Sequence, residues 1–319
     1  MSKIELPWVD KYRPSIFDEI ISEKDIIKTI ENLTENKNIP HLLFYGPSGT
    51  GKTTTISVCA KKLYGKYSSS MVLELNASND NGISIIREQI KDFAGTQNMF
   101  LQGIKLIILD EADNLSIEAQ NALRRVIEKY SNNTRFCLIC NYINKIIPAI
   151  QSRCARFRFP PLTIKDISIQ LNNICSNEGL IIENSAIEAL YRISKGDMRM
   201  IINIVQICIP VLENKTINDK IIYKCTSKPS NTLIKEIMDI IDNNSLKDAF
   251  YEIKEITKNY NLIDIVSFII DEIVIMDIKS GKKCQLLIEL AEIENNIVFS
   301  KDVQIDIQLG GLISILKTK

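Results

Sequence analysis

The segment GPSGTGKT, from Gly46 to Thr53, constrains the fold of this chain more than any other feature. The apolar run Leu42-Leu43-Phe44-Tyr45 before it is typical of a short buried strand. Residues 52–63 after it are typical of a helix, which Gly65 would end. A glycine-rich loop between a strand and a helix turns its backbone N–H groups towards a phosphate chain. The segment therefore predicts a phosphate-binding loop, and an ordinary glycine-rich turn is the alternative.

Each residue type in this loop has a chemical role in nucleotide binding. Lys52 is expected to reach the β- and γ-phosphates, and the Thr53 hydroxyl is suited to ligate Mg²⁺. The remaining predicted contacts to the nucleotide come from the loop and the start of its helix: Gly46, Pro47, Ser48, Gly49, Thr50, Gly51 and Thr54.

Two acidic residues follow a second apolar run. The run at residues 106–109 is typical of a strand buried in a parallel sheet, and it places Asp110 and Glu111 at the carboxyl end, where such sheets bind their ligands. Asp110 is predicted to hold Mg²⁺ through water, and Glu111 to polarise the water that attacks the γ-phosphate. A surface turn with two acids is the alternative.

Basic residues occupy one side of the next predicted helices. In the first, Ile86, Ile90 and Phe93 recur at core spacing, which leaves Ile83, Arg87 and Lys91 in a separate stripe. By its pattern alone this stripe is a solvated face. In a second helix, residues 116–130, the basic side chains Arg124, Arg125 and Lys129 likewise lie away from the apolar positions.

Three further polar features have two interpretations each. Asn141 ends a predicted strand at residues 135–140 and either senses the γ-phosphate or caps a loop. Arg153, before a last strand at residues 155–159, is either catalytic or structural. The aromatic and cationic cluster WVDKYR at residues 8–13 either lines a base pocket or is an arm packed on the domain.

The alternation of strands and helices up to Pro160-Pro161 predicts a doubly wound parallel α/β domain. Beyond this boundary the pattern is helical. We predict a nucleotide-binding domain over residues 1–161, a three-helix lid over 162–228 and an all-α collar over 229–319. The lid helices are expected at 164–178, 183–194 and 197–213, with a linker at 224–230. The collar helices are expected near 232–242, 246–257, 263–276, 283–297 and 308–316.

Composition limits the partners and the compartment. The net charge is formally zero, but 21 basic residues face 17 acidic ones up to Pro161, which favours this part for contact with polyanions. The eight cysteines lie mostly in apolar runs and are interpreted as reduced, buried thiols, because Cys137-x-x-Cys140 has no second pair at zinc spacing. No apolar run is long enough for a membrane span, so we expect an intracellular protein without a membrane partner.

These motifs closely resemble those of the small subunits of replication factor C, the clamp-loading AAA+ ATPase, and most of all the third/fifth-subunit type. The resemblance covers residues 6 to about 226 and rests on LPWVDKYRP at 6–14, GPSGTGKT at 46–53, LELNASNDNG at 73–82, LIILDEAD at 106–113, QNALRR at 120–125, SRC at 152–154 and GDMR at 196–199. After residue 231 the chain resembles the family only in length and helical content.

The resemblance implies ATP as the nucleotide and assigns the features left open above. Adenine would be bordered by Val9, Tyr12, Arg13 and the main chain around Ile21. Asn141 would be the first sensor of the γ-phosphate.

The resemblance also assigns the remaining cationic residues. Arg199 would be the second γ-phosphate sensor, and Arg153 an arginine finger inserted into the neighbouring subunit's ATP site. The stripe of Ile83, Arg87 and Lys91, with Arg124, would follow duplex phosphates.

The function that the resemblance implies is that of an ATPase subunit of a heteropentameric clamp loader. Its partners would be the other loader subunits, the sliding clamp and primer–template DNA, and its compartment the nucleus. Two alternatives are a scaffold subunit that binds ATP without hydrolysing it, and another AAA+ DNA-associated loader or motor. Intact Asp110 and Glu111 disfavour the first, and the lack of a winged-helix pattern disfavours the second.

Overall fold

A computed structural model describes residues 6–78, 83–96, 103–212, 214–299 and 304–317; for residues 83–87 it describes the backbone only. The chain divides into two compact units. The first comprises Met1–Ile209 with Asn214–Thr216, and the second comprises Pro210–Glu213 with Ile217–Lys319.

A five-stranded parallel sheet forms the centre of the first unit. Its strands are β1 Leu42–Tyr45, β2 Val72–Asn76, β3 Lys105–Asp110, β4 Thr134–Cys140 and β5 Ala155–Arg158. Their order across the sheet is β2-β3-β4-β1-β5, so that β1 lies between β4 and β5. The position of β1 matters because the phosphate loop leaves its carboxyl end, next to the end of β4 and one strand away from the end of β3. The predicted doubly wound α/β fold is confirmed.

Helices cover both faces of this sheet. The helices up to residue 158 are α1 Trp8–Lys11, α2 Lys24–Glu35, α3 Lys52–Tyr64, α4 Ser68–Met71, α5 Ile83–Gly95, α6 Ile117–Tyr130 and α7 Pro148–Gln151. One core joins α2 and α3 to strand residues such as Phe44 and Ile108, and the other joins α5 and α6 to Leu43 and Ile107. Alternate residues of one strand enter opposite cores, which is why the strands read as continuous apolar runs.

Three helices follow within the first unit: α8 Ile164–Asn177, α9 Asn184–Ser194 and α10 Met198–Cys208. Side chains cap two of them, since Thr163 accepts a hydrogen bond from the N–H of Asp166 and Asp197 accepts one from Met200. The prediction that the third helix extends to residue 213 is wrong. It ends at Cys208 in a 3₁₀ turn at Ile209–Val211, because Pro210 has no N–H to continue an α-helix.

The second unit is helical. Its helices are α11 Asp219–Thr226, α12 Asn231–Asn243, α13 Leu246–Ile256, α14 Leu262–Ile275, α15 Ser280–Phe299 and α16 Ile305–Lys317. The last five confirm the predicted collar helices. Helix α11 corrects the prediction of a linker that begins at Lys224. The helix begins because the side chain of Asn218 accepts a hydrogen bond from the N–H of Ile221, and it ends at Ser227 with φ of 51°.

Two short strands, β6 Ile181–Ile182 and β7 Thr216–Ile217, form a second, two-stranded sheet. The N–H of Ile181 donates to the carbonyl of Lys215 at 2.9 Å. Across the described residues, no helix has the length and apolar character that a bilayer crossing requires.

Candidate functional site

The phosphate loop is held against the end of β5 by its first glycine. Gly46 has a φ of 144°, and a Cβ at this position would lie 2.0 Å from the carbonyl oxygen of Phe159. Only glycine allows the loop to pass this close to a backbone. The loop therefore begins at a fixed point of the sheet and leads directly into α3.

Lys52 lies inside the loop with its ammonium group surrounded by acceptors. Its Nζ donates to the carbonyls of Gly46 at 2.7 Å and Pro47 at 2.6 Å, and to Oδ1 of Asn141 at 3.1 Å. The residue is only 7% exposed. Burial lowers the pKa of the Lys52 ammonium, and the nearby Asp110 carboxylate acts in the opposite direction. The predicted pair Lys52 and Asn141 is thus brought together by the ends of β1 and β4.

Asp110 meets the first turn of α3. The Thr53 hydroxyl donates to Oδ2 of Asp110 at 2.9 Å, and Oδ1 of Asp110 accepts the N–H of Glu111 at 2.9 Å. A hydroxyl and a carboxylate next to a phosphate loop form an oxygen donor set of the kind that Mg²⁺ prefers. The two predicted metal ligands therefore fit a Mg²⁺–nucleotide complex.

Glu111 has a strained backbone. Its φ of 53° and ψ of 38° lie in the left-handed region, which costs a residue other than glycine about 1–2 kcal/mol. Its carboxylate accepts a hydrogen bond from the Asn114 amide at 3.1 Å. Strain of this kind is concentrated at functional sites.

Asp113 was not predicted from the sequence, although it belongs to the same acidic segment. Its Oδ2 accepts the backbone N–H groups of Asn141 and Tyr142, both at 3.2 Å. This contact fixes the backbone of Asn141 after β4 ends, so that its side chain is free to meet Lys52.

A cavity of about 150 Å³ adjoins the loop. It is lined by most of the predicted nucleotide contacts: Val9, Tyr12, Arg13, Ile21, Gly49, Thr50, Gly51, Lys52, Thr53, Thr54 and Arg199. Residues that the sequence analysis missed also line it: Ile20, Leu162, Gln170, Met198 and Ile202. The cavity joins the N-terminal arm, the loop and helices α8 and α10, and its apolar and aromatic walls suit a flat base.

The arm is fastened to the helices after the sheet. Glu178, at the end of α8, accepts hydrogen bonds from the Tyr12 hydroxyl and the Lys11 ammonium, both at 2.5 Å. The N–H of Trp8 donates to the side-chain amide oxygen of Gln206 on α10 at 3.1 Å. The Lys11 and Tyr12 side chains hold the pKa of the Glu178 carboxyl below its ordinary value. The position of Tyr12 in the cavity therefore depends on α8 and α10.

Arg153 contacts a neighbouring helix of its own subunit. One guanidinium nitrogen lies 2.5 Å from Oε1 of Glu128 on α6, and another donates to the carbonyl of Ala149 at 2.6 Å. Arg124 lies 3.3 Å from the same Glu128 oxygen. Arg153 does not line the cavity that holds Lys52 and Arg199.

The predicted DNA stripe is only partly described. Lys91 is exposed on α5, whereas the side chains of Ile83 and Arg87 lie outside the described residues. Helices α5 and α6 share one hydrophobic core, which places Arg124 in the same layer as Lys91.

The cysteines are free thiols, as predicted, but Cys284 is exposed, which corrects the expectation that all eight are buried. It lies on α15, whose inward positions are taken by Leu286, Leu290 and Ile293. Burial raises the pKa of Cys140, beside Asn141, to about 12. Among the residues that the structure describes, no group of His, Cys, Asp or Glu side chains forms a further metal cluster.

Two family models match separate parts of the chain. The family model for the ATPase family associated with various cellular activities (AAA) matches residues 42–162. The model for the replication factor C C-terminal domain matches residues 229–314.

Curated relatives match almost the whole chain. Replication factor C subunit 3 of Schizosaccharomyces pombe is 46% identical over 319 residues, which cover 99% of this chain and 92% of that protein. Replication factor C subunit 5 of Homo sapiens is 46% identical over 312 residues, covering 97% and 91%. A solved structure, the Thermotoga maritima RuvB Holliday junction branch migration motor, aligns with a TM-score of 0.54 at 18% identity over 76% of this chain and 85% of that one. At this identity the likeness concerns the fold alone.

Proposed function

The chain belongs to the replication factor C family of AAA ATPases, and on that premise we propose how its residues carry out ATP hydrolysis within a clamp loader. The predicted family, fold class, ATP hydrolase activity and clamp-loader function are confirmed at the level of the family. The single observation that carries the residue assignments is the convergence of Lys52, Asn141 and the Thr53–Asp110 pair at the carboxyl edge of the sheet.

The phosphate chain of ATP binds in the loop, and adenine binds in the adjoining cavity. Backbone N–H groups of residues 46–54 and the Lys52 ammonium contact the phosphates, while Arg199 approaches from α10. Val9, Tyr12, Arg13 and Ile21 border the base. The lysine exchanges its present carbonyl acceptors for phosphate oxygens, which are stronger acceptors because they are charged.

Thr53 would hold Mg²⁺ through its hydroxyl, and Asp110 would hold the ion through water. When bound, the ion neutralises charge on the β- and γ-phosphate oxygens. Glu111 accepts the proton of the attacking water, and its turn holds the carboxylate at the edge where the γ-phosphate lies. Asn141 contacts the γ-phosphate from the other side, on a backbone that Asp113 holds in place.

Arg153 acts on the ATP of the neighbouring subunit. It is absent from the lining of its own cavity, and its half-exposed side chain pairs with Glu128. A cation that reaches an ATP site only when two subunits abut makes hydrolysis depend on assembly. Its exchange of Glu128 for phosphate requires little energy, because a half-exposed ion pair contributes about 0–1 kcal/mol.

The chain works in a multi-subunit assembly whose partners are the other loader subunits, the sliding clamp and primer–template DNA. ATP binding closes the ring of subunits around the clamp and the DNA junction, and hydrolysis releases the closed clamp on DNA. The three domains have different roles. Residues 1–161 form the ATPase domain, residues 162–228 form a lid, and residues 229–319 form a collar for oligomerisation. Such a loader acts in the nucleus.

Helix α5 supplies contacts to duplex phosphates through Ile83, Arg87 and Lys91, with Arg124 of α6 in the same layer. Replacing both Arg87 and Lys91 by Ala should reduce the slope of log affinity against log salt by roughly two, since each lost phosphate contact accounts for about 0.9 units. The loss should be equal for unrelated DNA sequences, because phosphate contacts read no bases. The measurement is primer–template affinity of the assembled complex with ATP across a salt series.

A matched control exists for this experiment. Lys24 and Lys28 have the same spacing and are exposed on α2, which packs on the opposite face of the sheet from α5. Their double Ala variant should keep the slope of the parent protein. An unchanged slope in the Arg87/Lys91 variant would show that this stripe is a solvated face without contacts to DNA.

A scaffold that binds ATP without hydrolysing it is the alternative function within the same ring. The Thr53–Asp110 pair and the Glu111 carboxylate favour hydrolysis, since a site used only for binding has no need of a general base for water. ATP turnover should be measured for the purified chain and for complexes reconstituted with clamp and primer–template DNA, comparing the parent subunit with Glu111→Gln. Equal turnover by the two complexes at this subunit's site would favour the scaffold.

A further inference from the structure

Helix α10 touches the phosphate loop directly at its first residues. The Ser48 hydroxyl donates to Oδ2 of Asp197 at 2.5 Å, and the N–H of Met198 donates to the carbonyl of Gly49 at 3.3 Å. Both contacts join positions about 150 residues apart in the chain. The start of the helix is therefore connected to the loop and not only to the other lid helices.

The loop is shaped for this approach. Gly49 has a φ of 66°, and a Cβ at this position would lie 1.9 Å from Oδ1 of Asp197. A side chain here would displace the carboxylate from the loop, apart from the strain that the positive φ imposes. The absence of a side chain at Gly49 is thus required by the contact with Asp197.

Asp197 uses its two carboxylate oxygens for two different purposes. Oδ1 accepts the N–H of Met200 at 3.1 Å and caps the helix, while Oδ2 accepts the Ser48 hydroxyl. Arg199 stands two residues later, in the first turn of the same helix, and lines the nucleotide cavity. A side chain in the first turn moves with the start of its helix.

We propose that Asp197 is a positioning residue: through its hydrogen bond with Ser48 it fixes the start of α10 on the phosphate loop and thereby aims Arg199 at the γ-phosphate. The proposal rests on the role of Arg199 proposed above. A charge-assisted hydrogen bond requires a donor–acceptor distance below about 3.2 Å, so a displacement of about 1 Å breaks the bond between Arg199 and the phosphate. The contact therefore affects ATP, which has a γ-phosphate, and leaves ADP unaffected.

Two substitutions separate this role from helix capping. Asp197→Ser keeps a hydroxyl that caps the helix, but it has no second oxygen for Ser48. Asp197→Asn keeps the cap through its amide oxygen and can donate from its amide nitrogen to the Ser48 hydroxyl, which restores the bridge without the charge. Arg199→Ala serves as the reference, because this variant lacks the guanidinium that is proposed to contact the γ-phosphate.

The experiment measures the affinities of the full chain for ADP and for adenylyl imidodiphosphate, a non-hydrolysable ATP analogue, with Mg²⁺ present. We expect Asp197→Ser and Arg199→Ala to lower the preference for the triphosphate to a similar extent, about tenfold, which corresponds to one charge-assisted hydrogen bond. ADP affinity and the melting temperature should stay at the parent values. Asp197→Asn should recover most of the preference.

The outcomes distinguish the two proposals. If Arg199→Ala keeps the preference for the triphosphate, the role of Arg199 and the role of Asp197 are both overturned. If only Asp197→Ser keeps it, Arg199 acts without help from Asp197. Equal weakening of ADP and triphosphate binding with a lower melting temperature would make Asp197 a cap alone. An Asp197→Asn variant as poor as Asp197→Ser would also overturn the proposal, because a restored hydrogen bond to Ser48 would then not restore the preference for the triphosphate.

Discussion

Lys52→Ala is expected to weaken ATP binding at this subunit's site by at least about 100-fold, because the triphosphate loses charge-assisted hydrogen bonds of about 1.5–3 kcal/mol each. The Lys52 ammonium is the cation that the described loop places between Gly46, Pro47 and Asn141. The chain should still fold, with a free energy of unfolding lowered by about 1–3 kcal/mol, because the carbonyl of the buried Gly46 loses its donor while that of the exposed Pro47 can bind water. Equilibrium titration with ATP and Mg²⁺, alongside thermal unfolding, measures both effects.

Lys105 provides a control of the same residue type and similar burial. It is 5% exposed, and its ammonium donates to the carbonyl of Phe93 at 2.6 Å and to the Thr96 hydroxyl at 2.8 Å, at the amino end of β3. Lys105→Ala should lower the free energy of unfolding by about 1–3 kcal/mol through the unpaired carbonyls and leave ATP affinity unchanged. Unchanged ATP affinity in Lys52→Ala would contradict the phosphate-loop assignment.

The sheet was predictable because each of its strands carries a local signal. Strand β3 is apolar from Leu106 to Leu109 because both faces are covered by helices, and β5 alternates because one of its faces is open. The phosphate loop then fixes β1 as the strand that precedes the site. Strand order follows from contacts between distant segments, and no local pattern encodes it.

The wrong secondary-structure predictions concern segments in which local sequence signals conflict or span only a few residues. Helix α10 has apolar residues beyond Cys208, but Pro210 ends it, so hydrophobic periodicity overestimated its length. Helix α11 spans 8 residues, too few for periodicity to separate it from a linker that contains Pro229. The four-residue helices α1, α4 and α7 have no periodic signal at all.

Site residues that lie in motifs were predictable, and those that support them were not. Lys52, Thr53, Asp110 and Asn141 each follow a strand or a glycine-rich loop, and the chain's topology brings strand ends together. Glu178 and Asp197 act on Tyr12 and Ser48 across about 150 residues of sequence. Their spacing along the chain does not indicate these contacts. The position of Asp197 before α10 is typical of a helix cap, but it does not indicate a contact with the phosphate loop.

Arg153→Ala is expected to lower ATP hydrolysis at the neighbouring subunit's site by about 10³-fold or more in the assembled complex, as for other arginines supplied in trans. The loss should belong to the neighbour because Arg153 lies outside the lining of its own nucleotide cavity. Stability should hardly change, since its ion pair with Glu128 is half-exposed, at 37% and 39% for the two side chains. Single-turnover hydrolysis in complexes where only that neighbouring site is active measures the effect.

Two variants make the result specific. Arg153→Lys keeps the charge but loses the planar pair of donors, so it should recover only a small part of the rate. Arg156, three residues later and exposed on β5, is a matched arginine whose Ala variant should hydrolyse ATP at the parent rate. If Arg153→Ala instead lowers nucleotide affinity or turnover of the isolated chain, the arginine acts on its own site or supports the fold. Hydrolysis would then not depend on subunit contact through this residue.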